Sequence, residues 1–106
     1  MHETIIAEQL IRDAEKHGKV KSIAVNVGEL APIHSHDLEK TLKGMTKWHI
    51  TVTDGTARVK CKCGYIGRPN ITERAHDFVL FDCPKCRKIP KVVSGDEIIL
   101  KEVTVE

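Results

Sequence analysis

Apolar residues near the start of the chain recur with the spacing of an amphipathic helix. Ile6, Leu10 and Ala14 stand four residues apart, so their side chains share one face. The pattern predicts a helix over residues 3–17. Gly18 is placed to end this helix, because glycine accepts the left-handed conformation that commonly follows a last turn.

A second helical pattern follows further along. Leu38, Leu42 and Met45 fall on one face of a predicted helix. Ser35 is a candidate N-cap for this helix, since its hydroxyl can accept a hydrogen bond from a free N–H of the first turn. Gly44 is expected to weaken or end it.

Three other segments have the composition of β-strands. Residues 22–27 are rich in β-branched side chains, residues 48–53 alternate apolar with polar, and residues 98–105 are β-like again. Asp54-Gly55 is a strong turn signal after the second strand. The last segment most simply returns to pair with the first strands. We therefore predict an α+β fold in which a small three-stranded sheet packs with two helices.

The segment between the second and third strands differs from the rest in composition. Residues 57–93 contain all four cysteines and carry nine Lys/Arg against three acidic residues, a net charge of +6, while the remainder of the chain carries −4. We expect this segment to be an inserted zinc-binding domain. Residues 1–56 plus 94–106 would then form the other domain.

The cysteines form two tight pairs, Cys61-Lys62-Cys63 and Cys83-Pro84-Lys85-Cys86. Four thiolates supplied by two turns can coordinate one Zn²⁺ in a tetrahedron. This favours a structural site, because no coordination position is left for a water molecule. An iron–sulfur cluster, a redox disulfide and a catalytic zinc remain as alternatives. The single residue inside the first pair is unusual and predicts a strained or labile turn.

The amino-terminal triplet Met1-His2-Glu3 offers a second set of donors. The terminal amine, the His2 imidazole and the deprotonated His2 amide can lie in one plane, an arrangement that suits Ni²⁺ or Cu²⁺. Glu3 can complete such a site. The triplet alone is weak evidence, because many chains begin this way with a solvated terminus.

The other histidines allow more than one interpretation. His34 and His36 flank the predicted start of the second helix, where they form either an accessory metal site or a solvated loop. His76 lies among the cysteines and is a candidate replacement ligand.

Several function classes are disfavoured. No apolar run is long enough to span a bilayer and no signal peptide opens the chain, so we expect a cytoplasmic protein without membrane contact, in which cysteines serve as metal ligands.

The alternative function is a zinc-ribbon nucleic-acid-binding module, suggested by the basic segment. It is disfavoured because interleaved aromatic residues and a recognition helix are missing. A zinc hydrolase is ranked lowest, because the chain has no His-Glu-x-x-His string.

Taken in order, these features resemble the HypA/HybF family of nickel-incorporation proteins in NiFe-hydrogenase maturation. The resemblance covers nearly the whole chain. It rests on Met1-His2-Glu3, on Val25-Asn26-Val27-Gly28-Glu29-Leu30 and on the cysteine pairs that follow. The family usually spaces its first pair by two residues, so the one-residue spacing of Cys61 and Cys63 is a departure.

The resemblance implies a nickel metallochaperone and not an enzyme. It implies that His2, helped by the Met1 amine and Glu3, binds Ni(II) as transient cargo. It implies a nickel-handling maturation GTPase and the hydrogenase large-subunit precursor as partners, with urease served in some bacteria, and the sequence leaves a homodimer open. Structural Zn(II) would be held by the four cysteines, Cys61, Cys63, Cys83 and Cys86.

Overall fold

Two α-helices and eight β-strands are present in the part of the chain that the computed structural model describes, residues 2–74 and 78–106, with only the backbone of His2. In chain order the elements are α1 (His2–Glu15), β1 (Val20–Gly28), α2 (Ser35–Met45), β2 (His49–Gly55), β3 (Arg58–Lys60), β4 (Ile66–Gly67), β5 (Asn70–Arg74), β6 (Val79–Asp82), β7 (Lys91–Ser94) and β8 (Ile98–Val105). The predicted α+β class is confirmed. Neither described helix is long and apolar enough to cross a membrane.

The principal sheet has the strand order β2-β1-β8. The strands β1 and β2 are parallel, with Ile23 opposite Ile50 and Val25 opposite Val52. A parallel pair needs a crossover connection, and α2 supplies it. The last strand, β8, pairs antiparallel with β1. This confirms the predicted return of the carboxy-terminal segment to the first strands.

Both helices contribute to the core that this sheet shares. Alternate residues of β1 are buried, as expected for a strand with one covered face. Leu38 and Leu42 of α2 are fully buried, which confirms the predicted face, whereas Met45 at the helix end is 41% exposed. Trp48 packs against this core while partly buried. The buried residues of the cluster are Ala7, Leu10, Ala14, Ile23, Val25, Val27, Ala31, Ile33, Leu38, Leu42 and Ile50.

Some local predictions were wrong. Asp54-Gly55 is not a turn; both residues belong to β2 and pair with Val27 and Gly28 of β1. Parallel pairing with β1 over the full length of β2 overrides the local preference of the dipeptide. The helix α1 ends at Glu15, and Gly18 follows with a positive φ of 127°.

The start of α2 also differs from the prediction. Ser35 is the first helical residue, and His34 occupies the cap position without a side-chain capping bond. Gly44 does not end α2, which continues to Met45. These shifts of one or two residues leave the buried face of the helix unchanged.

The cysteine-containing segment forms its own sheets. Strand β3 lies between β4 and β7, and β5 pairs with β6. Ala57 and Val59 are buried here, and Leu30 from the loop after β1 joins them in the same cluster. This loop is fixed by its backbone, since the Glu29 N–H donates to the Gly55 carbonyl (2.8 Å) and the Leu30 N–H donates to the Gly95 carbonyl (2.9 Å). The loop thus contacts both chain connections to the cysteine-containing sheets.

Two glycines provide a matched test of this packing. A Cβ on Gly28 would overlap the Gly95 backbone, whereas a Cβ on Gly44 would meet nothing within 4 Å. We expect Gly44→Ala to raise the free energy of unfolding by about 0.5–1 kcal/mol through helix propensity. We expect Gly28→Ala to lower it by about 1–3 kcal/mol through overpacking. Urea unfolding followed by circular dichroism measures both, and similar effects from the two substitutions would contradict the close approach at Gly28.

Candidate metal centre

The four cysteine sulfurs converge on one point. All four Sγ atoms lie within 4.8 Å of one another. The Sγ atoms of Cys61 and Cys86 are 3.4 Å apart, and those of Cys63 and Cys83 are 3.6 Å apart. Sulfurs at the usual Zn–S distance in a tetrahedron are separated by about 3.8 Å. The donor set therefore fits one tetrahedral ion, and none of the four thiols is in a disulfide.

The first cysteine turn begins directly after β3. The Gly64 N–H donates to the Cys61 carbonyl at 3.0 Å, and the Cys61 N–H donates to the Tyr65 carbonyl at 2.9 Å. Gly64 has a φ of 99°, a conformation that side chains resist. Gly64 thus adopts the positive φ that this short turn requires. As a result, the Cys61 and Cys63 thiols both reach the sulfur cluster although only one residue separates them.

The second cysteine turn follows β6. The Arg87 N–H donates to the Cys83 carbonyl at 2.9 Å, and the Cys83 N–H donates to the Lys88 carbonyl at 2.8 Å. Arg87 has a φ of 64°, and it is the one described residue other than glycine with a positive φ. An arginine therefore occupies a position where glycine would be unstrained.

This strain predicts a stabilising substitution. Arg87→Gly is expected to raise the free energy of unfolding of the metal-loaded protein by about 0.5–1 kcal/mol, because relief of the left-handed strain exceeds the added entropy of the unfolded chain. Arg87→Ala keeps the strain and loses the 4.0 Å ion pair with Asp82, so it should give no gain. Denaturant unfolding compares the two variants. A gain of the same size from alanine would exclude backbone strain as the cause.

The thiols differ in exposure and in proton affinity. Cys83 is fully buried and Cys61 is 7% exposed, whereas Cys63 is exposed. Burial raises the pKa of Cys83, but backbone N–H donors at Cys86 and Lys85 outweigh it and lower the pKa from 9.0 to about 7. The Lys88 N–H lowers the pKa of Cys86, but the Cys61 thiol and burial raise it to about 11. An ion that requires four thiolates must therefore displace protons, so its affinity falls as the pH falls.

The amino-terminal triplet is described only in part. Met1 lies outside the described residues, and His2 is known only as the first residue of α1. Glu3 stands in the first turn and is 9% exposed. The predicted nickel ligands therefore stay a prediction.

None of the histidine side chains that the structure describes is assembled with the cysteines. His34 and His36 line a cleft of about 680 Å³ at the start of α2. Among the described residues, only the four cysteines bring three or more His, Cys, Asp or Glu side chains close enough together to bind one ion. The accessory site at His34 and His36 stays a prediction, and His76 lies outside the described residues.

One ion pair at this cleft was not anticipated from the sequence. The Arg68 Nε donates to the Glu29 Oε1 at 3.1 Å, and the Glu29 side chain is 7% exposed. This contact gives the buried Glu29 carboxylate a positively charged partner. The two residues are 39 positions apart, so no local pattern indicates the contact. Together with Leu30, the pair ties the loop after β1 to the cysteine-containing sheets.

Comparison with known proteins gives a consistent set of similarities. A family model described as "Hydrogenase/urease nickel incorporation, metallochaperone, hypA" matches residues 1–105. A "Hydrogenase maturation factor HypA" from Methanocella arvoryzae is 32% identical over 119 residues, which cover 100% of this chain and 99% of that protein. A protein of the same name from Methanosarcina acetivorans is 27% identical over 128 residues, covering 100% of this chain and 96% of the relative.

Solved structures agree in fold. The solution structure of the Ni metallochaperone HypA from Helicobacter pylori superposes with a TM-score of 0.64 and 18% identity, covering 97% of this chain and 96% of that one. A second solution structure of a HypA protein gives 0.64 and 19% identity over 100% of this chain and 97% of the other. At this identity the likeness supports the fold alone.

Proposed function

Because this chain belongs to the HypA family of hydrogenase and urease nickel-incorporation metallochaperones, we propose that it binds Ni(II) at its amino terminus and delivers the ion for hydrogenase maturation. The family match over residues 1–105 carries this proposal. Such a protein binds and releases its cargo and needs no catalytic turnover. Nickel is therefore a transient ligand here.

The proposed nickel ligands are the Met1 amine, the His2 imidazole and amide, and Glu3. Since His2 is the first residue of α1, its N–H belongs to the first turn, where N–H groups have no intrahelical acceptor. Loss of this proton on nickel binding would break no helical hydrogen bond. A site at a chain terminus also lets an incoming donor reach the ion, which allows transfer by ligand exchange without unfolding.

We propose that the four cysteines hold a structural zinc ion. The convergence of the four sulfurs supports this assignment, since Zn²⁺ prefers four thiolates in a tetrahedron. A site closed by four protein ligands has no open position for substrate. Zinc would then stabilise the small sheets around it and take no part in nickel transfer.

We further propose two domains: residues 1–56 plus 94–106 for nickel, and residues 57–93 for zinc. Separate sheets and separate buried clusters support this division. The family's role in nickel incorporation supports partners in maturation, namely a nickel-handling GTPase and the hydrogenase large-subunit precursor. The protein would act in the cytoplasm, where cysteines remain reduced and available to metal.

Equilibrium dialysis tests the proposal. Untagged, zinc-loaded protein is dialysed against Ni²⁺ and then against a chelator, and both metals are measured per chain. We expect one zinc that resists the chelator and one nickel that the chelator removes. Absence of saturable nickel uptake by zinc-loaded protein would overturn the proposal.

A further inference from the structure

A basic groove lies beside the cysteine centre. Its volume is about 860 Å³, and it runs between the first cysteine turn and the segment after the second turn. None of its lining residues carries a carboxylate. We call it the lysine groove; its lining consists of Lys60, Cys61, Lys62, Cys63, Cys86, Lys88, Ile89, Pro90 and Lys91.

The charge of the groove is positive even when a metal is bound. Four lysines line it, whereas a four-thiolate zinc centre contributes a charge of only about −2. The lysines come from two chain segments, since Lys60 and Lys62 flank Cys61 while Lys88 and Lys91 follow Cys86, and Lys60 pairs with Lys91 across β3 and β7. A ligand in the groove would therefore meet positive charge from both segments, which favours acidic side chains.

An apolar side chain stands among these charges. Ile89 is 83% exposed, more than any other large apolar residue that the structure describes. It precedes the buried Pro90, which fixes the local backbone. An exposed aliphatic side chain beside several lysines resembles a small protein–protein interface, in which an apolar centre is surrounded by polar residues.

From this arrangement we infer that the lysine groove docks an extended acidic segment of a partner protein, with one apolar partner side chain against Ile89. The lining holds no arginine and no aromatic residue. Sites for single-stranded nucleic acid combine positive charge with aromatic side chains for base stacking, and arginine binds phosphate in bidentate fashion, so a peptide suits this lining better. The inference rests on the proposed delivery function only in that delivery requires a docking surface.

A fluorescence anisotropy titration of the zinc-loaded full chain tests the inference. The first probe is a fluorescein-labelled peptide in which Glu and Asp alternate with Leu. The second replaces each Leu by Ser, and the third is single-stranded oligothymidylate. We expect saturable binding of the first probe, weaker binding of the second, and weaker binding still of the third.

Variants locate the binding site. Charge reversal by Lys62→Glu with Lys88→Glu should weaken binding of the first probe about tenfold or more, with zinc content unchanged. Ile89→Ser should weaken the Leu probe and leave the Ser probe unaffected. Lys40→Glu with Lys47→Glu, at two exposed positions in and just after α2, makes the same change in net charge and is the matched control; it should change neither affinity more than about twofold.

Several results would overturn the inference. These are no saturable peptide binding, tighter binding of the oligonucleotide, or full binding by the Ile89→Ser variant. A dimer of the parent chain that Ile89→Ser dissociates in sedimentation equilibrium would assign the groove to a second copy instead. Nickel uptake by the same variants is measured in parallel and should stay at the parental level, so failure here is distinguishable from failure of the nickel proposal.

Discussion

Cys83→Ser is expected to abolish stoichiometric zinc binding and to unfold the β4-β3-β7 sheet. Cys83 is fully buried and is one of the four converging sulfurs, so a hydroxyl in its place removes one proposed ligand and leaves the other three without a closed tetrahedron. The fully covered apolar residues beside this sheet are few, namely Leu30, Ala57 and Val59, and the other side chains packed against them are only partly buried: Tyr65, Ile71, Val79, Phe81 and Val92. A core of this size contributes little to stability, whereas a structural zinc contributes about 10–16 kcal/mol at neutral pH in zinc-finger peptides.

Metal analysis and hydrogen exchange measure this outcome together. In the variant, amides of β3 should exchange freely, while amides of β1 keep protection because their core lies under α1 and α2. Lys62→Ala is the control, since Lys62 is exposed and lies between two of the proposed zinc ligands without being one. One zinc per chain in purified Cys83→Ser protein would contradict the assignment of this thiol.

The same centre should release its metal in acid. Zinc binds thiolates, and the Cys86 thiol, with a pKa raised to about 11, holds a proton at neutral pH that the ion must displace. Lower pH favours the protonated thiols, so affinity falls in that direction. Competition with a zinc-binding dye across neutral to mildly acid pH measures the trend.

Local patterns in the sequence were enough to predict the two helices and the grouping of the four cysteines. Leu38 and Leu42 are buried as their spacing indicates, because a helix face is set by residues within a few positions of one another. The cysteine pairs carry their turn geometry within a few residues, so composition and spacing were enough to predict that the four sulfurs come together.

Local sequence patterns did not predict the long-range contacts. The parallel pairing of β1 with β2 takes Asp54 and Gly55 into a strand, although the dipeptide alone indicates a turn. The Glu29–Arg68 pair and the entry of Leu30 into the second cluster depend on how the loop after β1 meets the cysteine-containing sheets. Hydrophobic periodicity cannot predict these contacts, because the residues that form them are distant in sequence.

His2→Ala should remove stoichiometric nickel binding and leave zinc content unchanged. His2 has the one nitrogen-bearing side chain of the amino-terminal triplet. Loss of a group that merely hydrogen-bonds to a metal ligand already weakens metal sites by about 10–100-fold. The expected loss of affinity is therefore at least about a hundredfold, measured by titration calorimetry on zinc-loaded protein. His49→Ala is the control, because this imidazole is exposed on β2 and its removal should leave nickel affinity unchanged.

A second change at the same end separates the amine from the imidazole. Residues added ahead of Met1 keep His2 but replace the free amine by an amide, which is a poorer donor because it must first lose a proton. We expect weakened nickel binding, with a steeper fall toward low pH as protons compete for the remaining donors. If the extended chain and the His2→Ala variant both bound nickel like the parent, the ion would have to sit elsewhere in the molecule. The cleft at His34 and His36 would then be the next region to test, since these side chains offer imidazole nitrogens away from the cysteine centre.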